Sequence, residues 1–191
     1  MEIYIINTTN FNEKELIKQL SAEEKTDACA LRQKSVRKRY ILSRALRRKI
    51  LAKALSLKPE KIIIENALNG KPFIPADPIH FNMSHSKDLI VLALSEKPVG
   101  VDTEFMKKRD FIKLIRYALP SKESAIYSME NINQEFYRWW TVYEAGIKLE
   151  GLNILSAGER YPAHYKTSFF ENYALSAAAH EPFEPSYIMY D

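Results

Sequence analysis

The chain has 191 residues, 28 Lys and Arg against 24 Asp and Glu, and is 46% hydrophobic and 27% charged. That balance suits a soluble globular protein of one large domain or two small lobes. No apolar run nears the ~20 residues of a membrane span. Cys29 is the only cysteine, which excludes an internal disulfide and argues against a Cys-based zinc site. The first residues, Met1 to Asn7, lack a basic segment followed by a long apolar one, so no signal peptide and a cytoplasmic location are expected.

Residues 2–8 read as a strand, and 13–20 and 22–31 as helices, with Ser21 and Glu24 spaced as a capping box. A long helix is expected over 34–56, where Val36, Tyr40, Leu46, Ile50, Leu51, Ala54 and Leu55 recur at helical spacing and Lys58-Pro59 stops the pattern. Between Arg32 and Lys53 there are ten Lys or Arg and no acid. Such a stretch binds phosphates, nucleic acid or an acidic protein, or is a solvated helix face. Ile62-Ile63-Ile64 reads as a short strand and Asn69-Gly70-Lys71-Pro72 as a turn. Residues 79–83 and 89–94 read as strands joined by Ser84-His85-Ser86-Lys87-Asp88. Residues 105–118 mix apolar and basic side chains, 121–130 read as a helix, and 133–150 as the main helix of the second half. Residues 173–178 and 187–190 alternate as strands do and are expected to pair antiparallel.

Chemistry concentrates in two places. In Val99-Gly100-Val101-Asp102-Thr103-Glu104 the period of two puts Asp102 and Glu104 on one face of a strand. Acids are poor strand formers, so two on one face call for a cation partner. In Trp140-Thr141-Val142-Tyr143-Glu144-Ala145-Gly146-Ile147-Lys148, Glu144 and Lys148 share a helix face; alone, they fit an ordinary surface ion pair. Three carboxylates together make an oxygen site for a hard cation such as Mg²⁺, which keeps several waters and often a substrate phosphate. Ser84 and His85 stand at a strand end. No Gly-x-x-x-x-Gly-Lys-Ser/Thr or Gly-x-Ser-x-Gly pattern supports a P-loop or a hydrolase elbow.

In order, Gly70-Lys71-Pro72, Phe81-Asn82-Met83-Ser84-His85-Ser86, Val99 to Glu104 and Trp140 to Lys148 resemble the motifs of the 4′-phosphopantetheinyl transferases of the surfactin-synthetase-activating (Sfp) type. The Ser43-Arg44-Ala45-Leu46-Arg47-Arg48 helix fits too, and the resemblance covers about 32–151. It implies an α+β fold of two pseudo-symmetric lobes, each a small antiparallel sheet packed with helices, with residues 1–97 forming the first lobe and 98–191 the second, metal-bearing one. It implies an Mg²⁺-dependent transfer of the phosphopantetheine arm of coenzyme A to a serine of an acidic apo carrier protein, releasing adenosine 3′,5′-bisphosphate. By the same resemblance Asp102, Glu104 and Glu144 hold the metal and Glu144 and Lys148 are catalytic. Lys71, Asn82, Ser84 and His85, with Arg39 and Arg44 from the basic helix, meet coenzyme A. No membrane or nucleic-acid partner is expected, and two lobes in one chain make a monomer sufficient.

The chain departs from the family pattern in two places. Tyr143 stands before Glu144 where a lysine is usual, so Tyr143→Lys is expected to be neutral or beneficial. Ser35-Val36-Arg37-Lys38-Arg39 replaces a common Asp-Arg pair. The segment from Phe105 to Arg116, apolar with five cations, is expected to dock the carrier. Two other readings compete: a carrier- or nucleic-acid-binding module that has lost catalysis, resting on the basic helix and Tyr143, and an Mg²⁺-dependent nucleotide hydrolase using water as nucleophile.

Overall fold

The computed structural model describes residues 1–75, 77–108, 110–154 and 157–191. The elements in chain order are β1 (Glu2–Asn7), α1 (Glu13–Leu16), α2 (Ala22–Ala30), α3 (Lys34–Leu55), β2 (Glu65–Asn66), β3 (Pro72–Phe73), β4 (His80–Ser86), β5 (Leu89–Ser95) and β6 (Val99–Phe105), then α4 (Ile112–Ala118), α5 (Glu123–Tyr127), α6 (Ile132–Glu150), β7 (His164–Phe170), β8 (Tyr173–Ala179) and β9 (Ser186–Met189). One sheet has the order β4-β5-β1-β9, a second β6-β8-β7, and β2-β3 is a short ribbon. The fold is α+β, and each larger sheet carries one long helix, α3 or α6. No helix among the described residues is long and apolar enough to cross a membrane.

Strand alternation explains the layering. Tyr4, Ile6, Ile90 and Leu92 face Ile41, Leu42, Leu46 and Ile50 of α3. Their alternates Ile3, Ile5, Leu89, Val91 and Ala93 pack on Val99, Val101, Leu175 and Ala177 of the second sheet. The far face of that sheet, through Ala174 and Ala178, lies under α6. β5 is therefore covered on both faces, which is why it reads Leu-Ile-Val-Leu-Ala-Leu without alternation.

The first sheet is not wholly antiparallel, and the two tail strands do not pair with each other. β8 is flanked by β6 and β7, both antiparallel, so neither of its edges is open. β9 instead returns to β1 and pairs with it in parallel, Glu2 opposite Ser186 and Ile5 opposite Met189. β7 was not anticipated, because His-Tyr-Lys-Thr-Ser-Phe-Phe mixes polar and aromatic residues without a clean period. Residues 62–64 form no strand; the short strand is Glu65–Asn66. β4 runs on through Ser86, so the supposed connection is itself strand.

Two cations of the basic stretch are neither solvated nor free for a partner. The Ser21 box forms in full, with Ser21 Oγ accepting from the Glu24 amide and Glu24 Oε2 from the Ser21 amide. The same carboxylate accepts from Arg47 and Arg48, both buried in α3. Arg48 also donates to the carbonyls of Pro59 and Ile62, at 2.9 and 2.8 Å, and so ties down the chain after α3. Burial works against the Glu24 charge, but hydrogen bonds from Arg48 and the Ser21 backbone and the charges of both arginines outweigh it, and its pKa is lowered.

α6 lies so close to β6 that only glycine fits at position 100. A Cβ there would stand 2.0 Å from the Ala145 carbonyl oxygen and 2.5 Å from the Leu149 nitrogen, both backbone.

Two outcomes follow. Gly100→Ala should lower stability by about 3 kcal/mol or more, since neither backbone atom can move without lifting the helix; a urea midpoint equal to that of the parent would contradict the packing. Because the folded pKa of Glu24 is depressed, its stabilisation is complete above its unfolded value of 4.5 and is lost as pH falls through the folded value. Glu24→Gln should be less stable at pH 7 by roughly 3–5 kcal/mol, leaving two buried guanidiniums unneutralised. It should also show a shallower acid decline between pH 5 and 3 in thermal melts.

Candidate active site

β4 and β6 are edge strands of different sheets, and side chains of β4 bridge them. Asn82 Oδ1 accepts from the Val101 amide at 2.9 Å. Ser84 Oγ donates to Asp102 Oδ1 at 2.7 Å. Ser86 Oγ donates to Glu104 Oε2 at 2.9 Å and accepts from the Phe105 amide at 3.0 Å. Residues 82, 84 and 86 share one side of β4, as strand geometry requires.

The acids sit at this seam. Asp102 is 1% exposed. Its Oδ1 accepts from Ser84 and, at 2.6 Å, from the Lys148 ammonium. Its Oδ2 is buried without a hydrogen-bond partner among the described residues. Lys148 Nζ also donates to Ser84 Oγ at 3.0 Å, so strand, seam and helix meet at one point. Glu144, one turn earlier on α6, has its pKa pushed up to about 8: burial is the largest cause, the Asp102 charge the next, and Lys148 opposes them. Glu104 raises it further, which places all three carboxylates in one field. Among the described residues no three His, Cys, Asp or Glu side chains stand in metal-coordinating geometry. The donor set nevertheless fits a hard cation: the second Asp102 oxygen has no hydrogen-bond partner among the described residues, and Glu144, whose ionisation is opposed by burial and by the Asp102 and Glu104 charges, would gain from a positive ion there.

Between α3 and β4 runs a groove of about 310 Å³ whose lining includes Arg39, Tyr40, Ser43, Arg44, Ser84 and His85. The Arg44 guanidinium lies 5.2 Å from the centre of the Tyr40 ring. Four of the six residues expected to meet coenzyme A thus share one groove, and Ser84 links it to Asp102. Asn82 and Lys71 do not line it. Asn82 bonds the β6 backbone across the seam. The Lys71 ammonium donates to the Val99 and Leu149 carbonyls at 3.2 and 3.0 Å, tying the start of β6 to the end of α6. Its pKa is lowered by burial, against the pull of Glu150.

Sequence reasoning passed over Ser86, although Asn82, Ser84 and Ser86 at every second position were the available signal. It also passed over the buried hydroxyls behind the acids. Thr141 and Thr167 each lie 2.8 Å from Ser176, the residue opposite Asp102 in the β6–β8 register.

A sequence model of the 4′-phosphopantetheinyl transferase N-terminal region matches residues 9–97. The 4′-phosphopantetheinyl transferase psf-1 of Bacillus pumilus is 33% identical over 164 residues, which are 81% of this chain and 70% of that protein. The chain belongs to the 4′-phosphopantetheinyl transferase family. A Bacillus subtilis 4′-phosphopantetheinyl transferase is 34% identical over 74% of this chain and 65% of its own length, and Sfp of Bacillus subtilis is 28% identical over 80% and 70%. The chain thus spans 65–70% of the length of these relatives.

In this phosphopantetheinyl transferase Tyr143 does not face the acids. It is 2% exposed, packs among Phe136, Trp140 and Ile147, and donates to the Gly158 carbonyl at 3.1 Å. Burial, followed by nearby Tyr117, Glu144 and Glu159, raises its pKa, as expected for an enclosed phenol. A lysine here would place an ammonium in an aromatic core, which argues against a neutral effect on stability. The expected docking segment is likewise partly core: Phe111 and Ile115 are buried, leaving Ile112, Lys107, Lys108, Lys113 and Arg116 exposed. Arg109 lies outside the described residues.

Tyr143→Phe should cost about 1 kcal/mol, the value of one hydrogen bond. Tyr143→Lys should cost roughly 3 kcal/mol or more through desolvation of its charge and lost ring packing. Chemical denaturation of both variants checks the order, and a Tyr143→Lys protein as stable as the parent would show that the helix presents this position elsewhere.

Proposed function

We propose that the chain is an Sfp-type transferase that moves the 4′-phosphopantetheine arm of coenzyme A to a serine of an apo carrier protein. The observation that carries this reading is the half-satisfied Asp102, one oxygen held by Ser84 and Lys148 and the other without a hydrogen-bond partner among the described residues, beside a cationic groove. The intact acid set also weighs against a module that has lost catalysis. We take residues 1–97 and 98–191 as the two lobes and the cytoplasm as the location.

In this mechanism Arg39, Arg44, Ser84 and His85 bind coenzyme phosphates in the groove. Asp102, Glu104 and Glu144 hold Mg²⁺, which when bound neutralises charge on the pyrophosphate. Lys148 brings a point charge to the reacting phosphorus. Glu144 takes the proton of the incoming serine. The serine oxygen bonds to the phosphorus that carries the pantetheine, the bond to the bridging oxygen breaks, and adenosine 3′,5′-bisphosphate leaves. The chain's part is positioning and charge rather than covalent chemistry. Lys107, Lys108, Lys113 and Arg116 steer an acidic carrier to the site.

The test is intact-mass detection of carrier modification in the presence of coenzyme A and Mg²⁺. Asp102→Asn preserves shape but removes the charge, and should cut the rate roughly 10²–10³-fold while leaving the fold measurable by circular dichroism. In the same assay, reversing Lys107 and Lys108 to Glu should raise the carrier KM at low salt alone. A folded parent protein that leaves every carrier unmodified and hydrolyses coenzyme A instead would make it a hydrolase.

A further inference from the structure

The β4–β5 hairpin has a two-residue loop, Lys87-Asp88, since Ser86 pairs directly with Leu89. Loops of this length need a positive φ at the first position, and glycine supplies it without steric cost. Here the residue is a lysine with φ of 48°. The turn is held in place from behind: the Asp88 carbonyl accepts from both the amide and the hydroxyl of Thr8, at 2.8 and 3.0 Å. A long side chain thus occupies a left-handed position that the surroundings enforce, and such positions gather where a function uses them.

The Lys87 side chain has two neighbourhoods. Its ammonium stands over the Phe105 ring, at the end of the acid-bearing strand and across the seam. The residue also lines a groove of about 240 Å³ with Thr8, Thr9, Ser35, Lys38, Arg39 and His85. Arg39 and His85 line the first groove as well, so the two grooves adjoin. Asp88 is the one acid on the wall, against Lys38, Arg39 and Lys87. The open, cation-rich end of a groove bordered by hydroxyls suits a phosphate group.

Resting on the coenzyme A reading above, we propose that Lys87 is a phosphate-binding residue of the coenzyme groove. Its ammonium exchanges the Phe105 ring for a phosphate oxygen, beside Lys38, Arg39 and His85. The strained turn sets an exposed lysine on the groove wall, with its ammonium over the Phe105 ring at the seam. Coenzyme A offers two phosphate sources, its 3′-phosphate and its diphosphate, and the chemistry at Lys87 is the same for either.

The experiment is calorimetric titration of the full chain with coenzyme A and with 3′-dephospho-coenzyme A, alongside thermal melts. Lys87→Met removes the charge and keeps the strain, Lys87→Gly removes both, and Lys87→Arg keeps both. Kd for coenzyme A should rise roughly five- to tenfold in the Met and Gly variants and return to within about twofold of the parent in the Arg variant. The Gly variant alone should melt higher than the parent. A loss confined to coenzyme A assigns the 3′-phosphate; an equal loss with both ligands assigns the diphosphate; either supports the proposal. Met and Gly variants that bind both ligands as the parent does would overturn it, also if the carrier KM rises. A parent chain that itself binds neither ligand would sink the coenzyme A reading instead, which keeps the two failures apart.

Discussion

Where β4 meets β6 three short polar side chains, Asn82, Ser84 and Ser86, join the strands. Each engages the backbone or a carboxylate of the facing strand, and each lies two residues from the next. Adhesion between the halves comes from the apolar interface of Ile3, Ile5, Val91, Val99, Val101 and Leu175. The polar bridges set the register: a slip of one residue would turn Ser84 and Asp102 to opposite sides. Asp102 and Glu104, the carboxylates proposed to hold the metal, are therefore also structural acceptors, and the candidate site lies where the two sheets are joined by side chains.

α6 completes the arrangement from above. Its contact with Gly100 is backbone to backbone, which fixes its height over β6. The Thr141–Ser176–Thr167 hydroxyls hold it over β8 in the same layer. With height and rotation fixed, Glu144 and Lys148 reach the seam while Tyr143 and Ile147 turn into the aromatic core. A single helix thus serves two opposed demands, an apolar face that needs burial and a charged face that needs a partner, separated by the 3.6-residue repeat.

Local rules made much of this legible. The capping box at Ser21, the length of α3, and the pairing of Asp102 with Glu104 on one strand face follow from periodicity and short-range hydrogen bonding, and they hold. What escaped depends on distant partners. Arg47 and Arg48 look like surface charge until Glu24 arrives from another helix. Tyr143 follows its family position in sequence, yet its helical phase carries it away from the acids. Lys71 stands in the expected motif, while its ammonium is taken by two carbonyls, one of them 78 residues away. Likewise β9 has the alternation of a strand, but which edge receives it is decided by β8 being paired on both sides.

That last pairing has a mechanical side. β1 and β9 lie at opposite ends of the chain and run parallel, with further backbone bonds from the Ser186 amide to the Met1 carbonyl and from the Tyr190 amide to the Ile5 carbonyl. A pull on residues 1 and 191 draws the two strands past each other along their length, so every rung is loaded at once. A hairpin pulled at its open end yields rung by rung. The fold should therefore resist stretching through its ends far better than through a loop such as Lys87-Asp88, a difference that single-molecule force measurements read directly.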